Sequence, residues 1–174
     1  PFGVNVLRND AISALAVASA TGGSFIRVNV HAGVRVAGEG ILTGRAHETL
    51  RYRERLKSGV MIFADIAVKH SAPLVELTLE EEIEANVSRG CADGIILTGR
   101  RTGEPPEPER VAEARRACTR WVLVGSGVTP ENAPALLEHA HGCIVGTWFR
   151  EGRLQGEVSR RRVAELVEAV RSLG

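Results

Sequence analysis

The chain has 174 residues, of which 44% are apolar and 25% charged, the balance of a globular α/β domain and not of a disordered segment. A formal net charge of +1 and an aromatic content of 4% argue against nucleic-acid or acidic-membrane binding, which needs a basic surface or stacking platforms. No run nears the roughly 20 apolar residues of an integral membrane span and no stretch reads as a secretory signal, so the expected location is cytoplasmic.

The elements repeat one pattern in chain order. Phe2–Leu7 reads as a strand, and Asp10 caps a helix whose predicted apolar stripe is Ile12, Leu15, Ala16 and Ala20, ending at Gly22-Gly23. Ser24–Val30 is the next strand. A loop over Gly33–Gly44, with four glycines, leads to a helix near His47–Lys57; at about a dozen residues it is a lid candidate. Val60–Val68 is a strand, Leu79–Arg89 a helix capped by Thr78, and Gly94–Leu97 a strand. Thr102–Pro108 reads as a mobile loop. Pro108–Cys118 is a helix, Trp121–Val124 a strand, Pro130–His139 a helix, Cys143–Val145 a strand and Ser159–Leu173 a closing helix, with Val163, Leu166, Val167 and Val170 on its apolar face. The strands are continuous apolar runs, as parallel strands buried on both faces require. Cys91, Cys118 and Cys143 are far apart and odd in number, and are predicted to be buried and reduced, without disulfide or metal role.

Six consecutive βα units could form an open doubly wound sheet or part of a barrel. The first βα turn lacks a G-x-G-x-x-G fingerprint, which disfavours the dinucleotide-binding sheet. The phosphate-type turns come last: Gly125-Ser126-Gly127-Val128-Thr129-Pro130-Glu131-Asn132 and Val145-Gly146-Thr147 each follow a strand and precede a helix. Backbone N–H groups in such turns, with a helix N-terminus behind them, cradle phosphate. In (β/α)8 TIM barrels that site belongs to strands seven and eight. The expectation is therefore an α/β TIM barrel, a single domain over residues 1–174 that lacks the first two units and holds strands 3–8. With open edges, such a piece is expected to be unstable alone or to associate, as a homo-oligomer or with membrane-peripheral assembly partners.

Three segments resemble the BtpA family, which includes SgcQ-like proteins and is associated with photosystem I biogenesis in cyanobacteria. They are Gly3-Val4-Asn5-Val6-Leu7-Arg8-Asn9-Asp10, Ile26-Arg27-Val28-Asn29-Val30-His31 and Phe63-Ala64-Asp65-Ile66-Ala67-Val68-Lys69-His70, and the two late turns are similar as well. The resemblance runs over essentially the whole chain. It implies a ribulose-phosphate-binding type of barrel but no assigned reaction.

Polar residues just past the C-terminal ends of barrel strands converge on the mouth. That rule selects Asn5, Arg8, Asn9, Asn29, His31 and Thr98 as substrate-binding candidates, and Asp65, Lys69 and His70 as catalytic candidates. Gly125, Ser126, Gly127, Gly146 and Thr147 are the phosphate-binding candidates. Asn5 and Asn29 read equally well as a barrel-interior hydrogen-bonding pair, and Asp10 reads better as a helix cap than as an acid. Asp65 on an apolar strand needs a partner, which Lys69 or Arg27 could supply. His47, His139 and His141 read as surface residues. Arg100-Arg101 and Arg160-Arg161-Arg162 could be anion patches, the second reading better as a solvated helix start. No spacing marks a metal site, and no cofactor is expected. Two function classes follow: an enzyme acting on a phosphorylated sugar or nucleoside by acid–base chemistry, or a non-catalytic assembly factor that uses the barrel as a scaffold and needs an exposed apolar patch.

Overall fold

The computed structural model describes residues 1–38, 40–68, 70–99, 103–151 and 156–173, in two compact units, Pro1–Ile96 and Leu97–Gly174. The first unit opens with β1 (Gly3–Val4), α1 (Ala11–Thr21) and β2 (Phe25–Val28). Asp10 caps α1 by accepting the Ser13 N–H at 2.9 Å, and Gly22 closes it in the left-handed conformation at φ 76°. Because α1 is apolar nearly all round, periodicity could not choose its buried face. Ala11, Ala14, Leu15 and Ala18 face the core, whereas Ile12 and Ala20, predicted in the stripe, are exposed.

The segment predicted as a Gly33–Gly44 loop is a hairpin instead. β3 (Val34–Ala37) and β4 (Gly40–Thr43) pair antiparallel. After α2 (Ala46–Arg55) and β5 (Met61–Ile66), β6 (Ser71–Pro73) pairs with the other side of β3. Glycines at both ends and at the hairpin tip hid two four-residue strands behind a loop-like composition. Arg35, 9% exposed, fastens this small sheet: its Nε donates to Ser71 Oγ at 2.8 Å and its Nη1 pairs with Glu82 at 3.2 Å. The same Glu82 oxygen accepts the Ala67 N–H at 3.1 Å, so the network also holds the chain just beyond β5.

Thr78 and Glu81 form a reciprocal capping box on α3 (Leu79–Glu84), which continues as a π-helical turn over Ala85–Arg89 before β7 (Gly94–Leu97). The main strands of this unit lie in the order β1, β2, β5, β7, and the β1–β2 and β2–β5 pairs are parallel. Leu15, Ile26, Val28, Val60 and Ile62 are the centre of the core between α1 and this sheet. All four residues of β7 are buried, which explains its unbroken apolar run.

The second unit contains α4 (Pro108–Ala117), β8 (Trp121–Val124), α5 (Ala133–Leu137), β9 (Gly142–Cys143) and α6 (Arg160–Arg171). β8 and β9 are parallel, and Val111, Val122, Val124, Leu136 and Leu166 are buried. α5 starts three residues later than predicted because Asn132 folds the preceding turn onto itself, accepting the Thr129 N–H at 2.8 Å and donating to the Gly127 carbonyl at 2.9 Å. Val167, predicted on the inner face of α6, is 39% exposed. Cys118 is buried as expected and Cys143 half-buried, but Cys91 is exposed in the turn that follows the π-helical segment. Among the described residues no helix is long and apolar enough to cross a membrane.

Replacing Thr78 by Ala removes the hydroxyl arm of the capping box, keeps the backbone N–H that donates to Glu81, and is expected to lower the unfolding free energy by about 1 kcal/mol. Urea denaturation followed by circular dichroism measures it, and an unchanged midpoint would show that the hydroxyl arm carries no stability.

Candidate functional site

Asp65 lies in the second half of β5, 4% exposed among Phe63, Ala64 and Ile66. Its partners come from the neighbouring strand and its continuation. Arg27 donates through Nε to Oδ1 at 2.8 Å and through Nη2 to Oδ2 at 3.0 Å, a bidentate fork. Asn29 donates through Nδ2 to Oδ2 at 2.7 Å. The parallel register pairs Arg27 with Phe63 and Val28 with Ala64, which sets Arg27 and Asn29 two residues apart along one face opposite Asp65. Arg27 keeps 23% of its side chain exposed against 3% for Asp65. Asn29 Oδ1 is buried and unpartnered among the described residues. Asn5 extends the cluster by donating to the Arg27 carbonyl at 2.8 Å.

Other candidates from the first unit go elsewhere. Asn9 accepts the Val30 N–H at 2.6 Å and so ties the β1–α1 turn to the chain past β2. Arg8, Asn9, Asp10, Thr43, Arg45 and Thr49 contribute to a cavity of about 350 Å³ beside β4. His31, 1% exposed, meets the Gly90 carbonyl through Nε2 at 2.8 Å at the end of the π-helical segment. Burial holds its imidazole below the ordinary range, partly offset by the Gly90 carbonyl; Arg53 lowers it further and Asp93 raises it. His70 is exposed, with φ 54°. Lys69, Arg100, Arg101 and Thr102 lie outside the described residues.

In the second unit the predicted phosphate turns bound one cavity of about 320 Å³, lined by Gly103, Gly127, Val128, Thr129, Thr147, Trp148, Arg150 and Arg162. Several groups in these turns are already engaged. The Gly125 N–H donates to the Leu97 carbonyl at 2.6 Å, and the Ser126 hydroxyl donates to the Glu104 carbonyl at 2.8 Å. Gly127 has φ 71°, and a Cβ there would overlap the Pro105 nitrogen, so only glycine fits. Gly146 and Thr147 are exposed. Thr98, at the end of β7, is 7% exposed, and its hydroxyl has no partner among the described residues.

Arg150 and Arg162 were not singled out as a pair by sequence. Arg162 Nη1 donates to the carbonyls of Arg150 at 2.8 Å and Trp148 at 3.2 Å, and its guanidinium lies 5.2 Å from the Trp148 ring centre. Arg150 Nη1 donates to the Gly156 carbonyl at 2.8 Å. The basic run at the start of α6 therefore splits: Arg161 pairs with Glu165 on the exposed face at 2.6 Å, while Arg162 turns to the cavity. Its position in the first turn of the helix after the last strand was the available signal. Among the described residues no cluster of three or more His, Cys, Asp or Glu could hold a metal ion.

Parallel strands alternating with helices define the class, an α/β fold of the TIM-barrel-like kind. The native KDPGal structure superposes with a TM-score of 0.60 at 18% identity, covering 98% of this chain and 68% of that one. The N-(5'-phosphoribosyl)anthranilate isomerase of Pyrococcus furiosus gives 0.60 at 15% identity, covering 99% and 74%. The chain belongs to the BtpA family, whose model matches residues 1–172. The photosystem I biogenesis protein BtpA of Synechocystis is 45% identical over 98% of this chain and 60% of its own length. A Thermococcus kodakarensis protein is 43% identical over 99% of this chain and 66% of its own length. The chain thus spans about 60–66% of the length of these two curated relatives.

The depressed His31 gives a signed pH dependence. Between the ordinary imidazole value near 6.5 and its lower folded value, the unfolded chain binds more protons, so stability is expected to fall as pH drops below about 6.5. Urea midpoints at pH 7.5 and 5.5 measure the loss. His31→Gln, which can still donate to Gly90, should show a smaller loss, and an equal loss would place the titrating group elsewhere.

Proposed function

We propose that this BtpA-family chain binds a phosphorylated sugar or nucleoside at the C-terminal ends of its parallel strands and acts on it by acid–base chemistry. The Asp65 cluster carries the reading. A buried carboxylate forked by arginine adds little to stability that apolar residues of the same volume would not supply. Its use is to fix donors, and Arg27 keeps part of its guanidinium in reach of solvent. Asp65, with Lys69 and His70 a few residues on, is the ionisable set for proton transfer, and Asn29 and Arg27 are the groups for substrate hydroxyls and carbonyls. The turns at Gly125–Gly127 and Gly146–Thr147 anchor the phosphate, supported by the cavity they bound. Such turns follow strands seven and eight in eight-stranded barrels, so the parallel strands of this chain are assigned as the third to the eighth.

A second reading has an observation of its own. Val36 and Ile41 form a cross-strand pair 43% and 70% exposed, and Leu74, whose N–H donates to the Val34 carbonyl, is 62% exposed. That apolar face suits a non-catalytic assembly role, and the name of the Synechocystis relative states photosystem I biogenesis for that protein.

A thermal-shift panel of pentose phosphates, nucleoside monophosphates and their unphosphorylated parents tests the first reading. A phosphate ester at about 100 times its dissociation constant should add about 2.7 kcal/mol, and the parents should add nothing. Asp65→Asn, which weakens the Arg27 and Asn29 contacts, is expected to lower the unliganded melting temperature, to keep a ligand-induced shift above that baseline, and to lose turnover of the ligand that binds. Silence across the panel, with the function of Asp65→Asn intact in cells, would favour the assembly role.

A further inference from the structure

We infer that the cavity of the second unit is a charge-reading pocket whose ligand group is a dianionic phosphomonoester, neutralised by Arg150 and Arg162. The inference rests on the phosphate-binding reading and adds to it the ligand's charge state and the residues that select for it. The turn atoms alone are a poor source of charge: the Gly125 N–H, the Thr129 N–H and the Ser126 hydroxyl already donate to protein acceptors. Among the described residues two guanidiniums line the cavity and no carboxylate does, although the Glu131 carboxylate accepts a hydrogen bond from the Thr129 side chain. A phosphomonoester carries a charge of about −1.5 to −2 at neutral pH, which two arginines match. A phosphodiester or a carboxylate, with a single charge, leaves one guanidinium uncompensated in a partly enclosed site.

The arginines are also held in place before any ligand arrives. Arg162 is fixed by two carbonyl acceptors and the Trp148 ring, and Arg150 by the Gly156 carbonyl. In each, the bonds described run through Nη1, and a guanidinium carries five N–H donors in all. Trp148, which lines the same cavity, is a built-in reporter of occupancy.

The test uses the full chain with Trp121→Phe, which leaves Trp148 as the one tryptophan of the two in the sequence. Trp148 emission is titrated with inorganic phosphate, dimethyl phosphate and acetate. Phosphate is expected to bind at least about tenfold more tightly than either monoanion, and Arg150→Gln to lose about tenfold or more of that affinity, as removal of a charge-assisted contact does. Arg162→Gln is expected to do the same; because Arg162 also braces the Trp148 turn, the ligand comparison in the arginine-bearing chain stands independently of it. Equal affinity for phosphate and dimethyl phosphate, or an Arg150→Gln variant that binds phosphate unchanged, overturns the inference. If the thermal panel still responds to phosphate esters in that case, the phosphate-binding reading survives and only this pocket assignment falls. Silence in both experiments removes both.

Discussion

A carboxylate can sit inside a parallel strand buried on both faces only if its neighbours supply the donors that water would have given. Asp65 imposes that condition on the first unit. Leaving it unpaired would cost several kcal/mol, more than a marginally stable domain can absorb. The answer comes from β2 and the residue just beyond it, where Arg27 and Asn29 stand on the face that the parallel register turns toward Asp65. β2 therefore cannot slip by one residue against β5 without moving both donors to the opposite face. The bond from Asn5 to the Arg27 carbonyl extends the same demand to the chain after β1. One buried charge thus specifies register across three neighbouring strands.

The second unit solves a related problem with backbone groups. Asn132 and Ser126 engage the turn after β8, and Gly127 lets the Glu104–Pro105 segment come close. A turn stabilised in this way is stiff, but its own polar groups are largely occupied. The positive charge at the cavity comes from side chains anchored elsewhere, and Arg162 reaches it from the first turn of α6. Basic residues at a helix N-terminus oppose the helix dipole. Arg162 offsets that cost locally through two carbonyls and an aromatic ring, whereas Arg161 relies on Glu165 one turn on.

Most of the architecture was legible because parallel strands buried on both faces leave an unmistakable trace. β7 and β8 were read to the residue, and the Asp10 and Thr78 caps followed from side-chain chemistry alone. The hairpin was not legible: its strands are four residues each, and its glycines imitate a loop. The buried face of α1 was not legible either, since a helix apolar on every side has no preferred stripe. At the candidate site, the need of Asp65 for a partner could be read, and Arg27 was one of the two partners considered. The fate of His31 could not, because its contact with Gly90 spans 59 positions and depends on where the π-helical segment ends. Arg150 and Arg162 were obscure for the same reason: they meet through a fold-back of the chain that leaves no periodic signal.

Arg27 and Arg162 share a design that bears on how such sites bind. Each guanidinium is held by fixed acceptors, a carboxylate in one case and main-chain carbonyls in the other. A long cationic side chain free in solvent loses rotamer entropy when it clamps a ligand, about 0.5–1.5 kcal/mol per immobilised side chain. Here folding has already met that cost. The remaining donors of a fixed guanidinium then act as preoriented dipoles, and these favour charge without reorganising around it. The two differ in net charge: Arg27 is neutralised by Asp65, so what it offers a ligand is directed hydrogen bonding, whereas Arg162 is held by neutral carbonyls and keeps its full charge. The first arrangement suits hydroxyl and carbonyl groups, the second an anion.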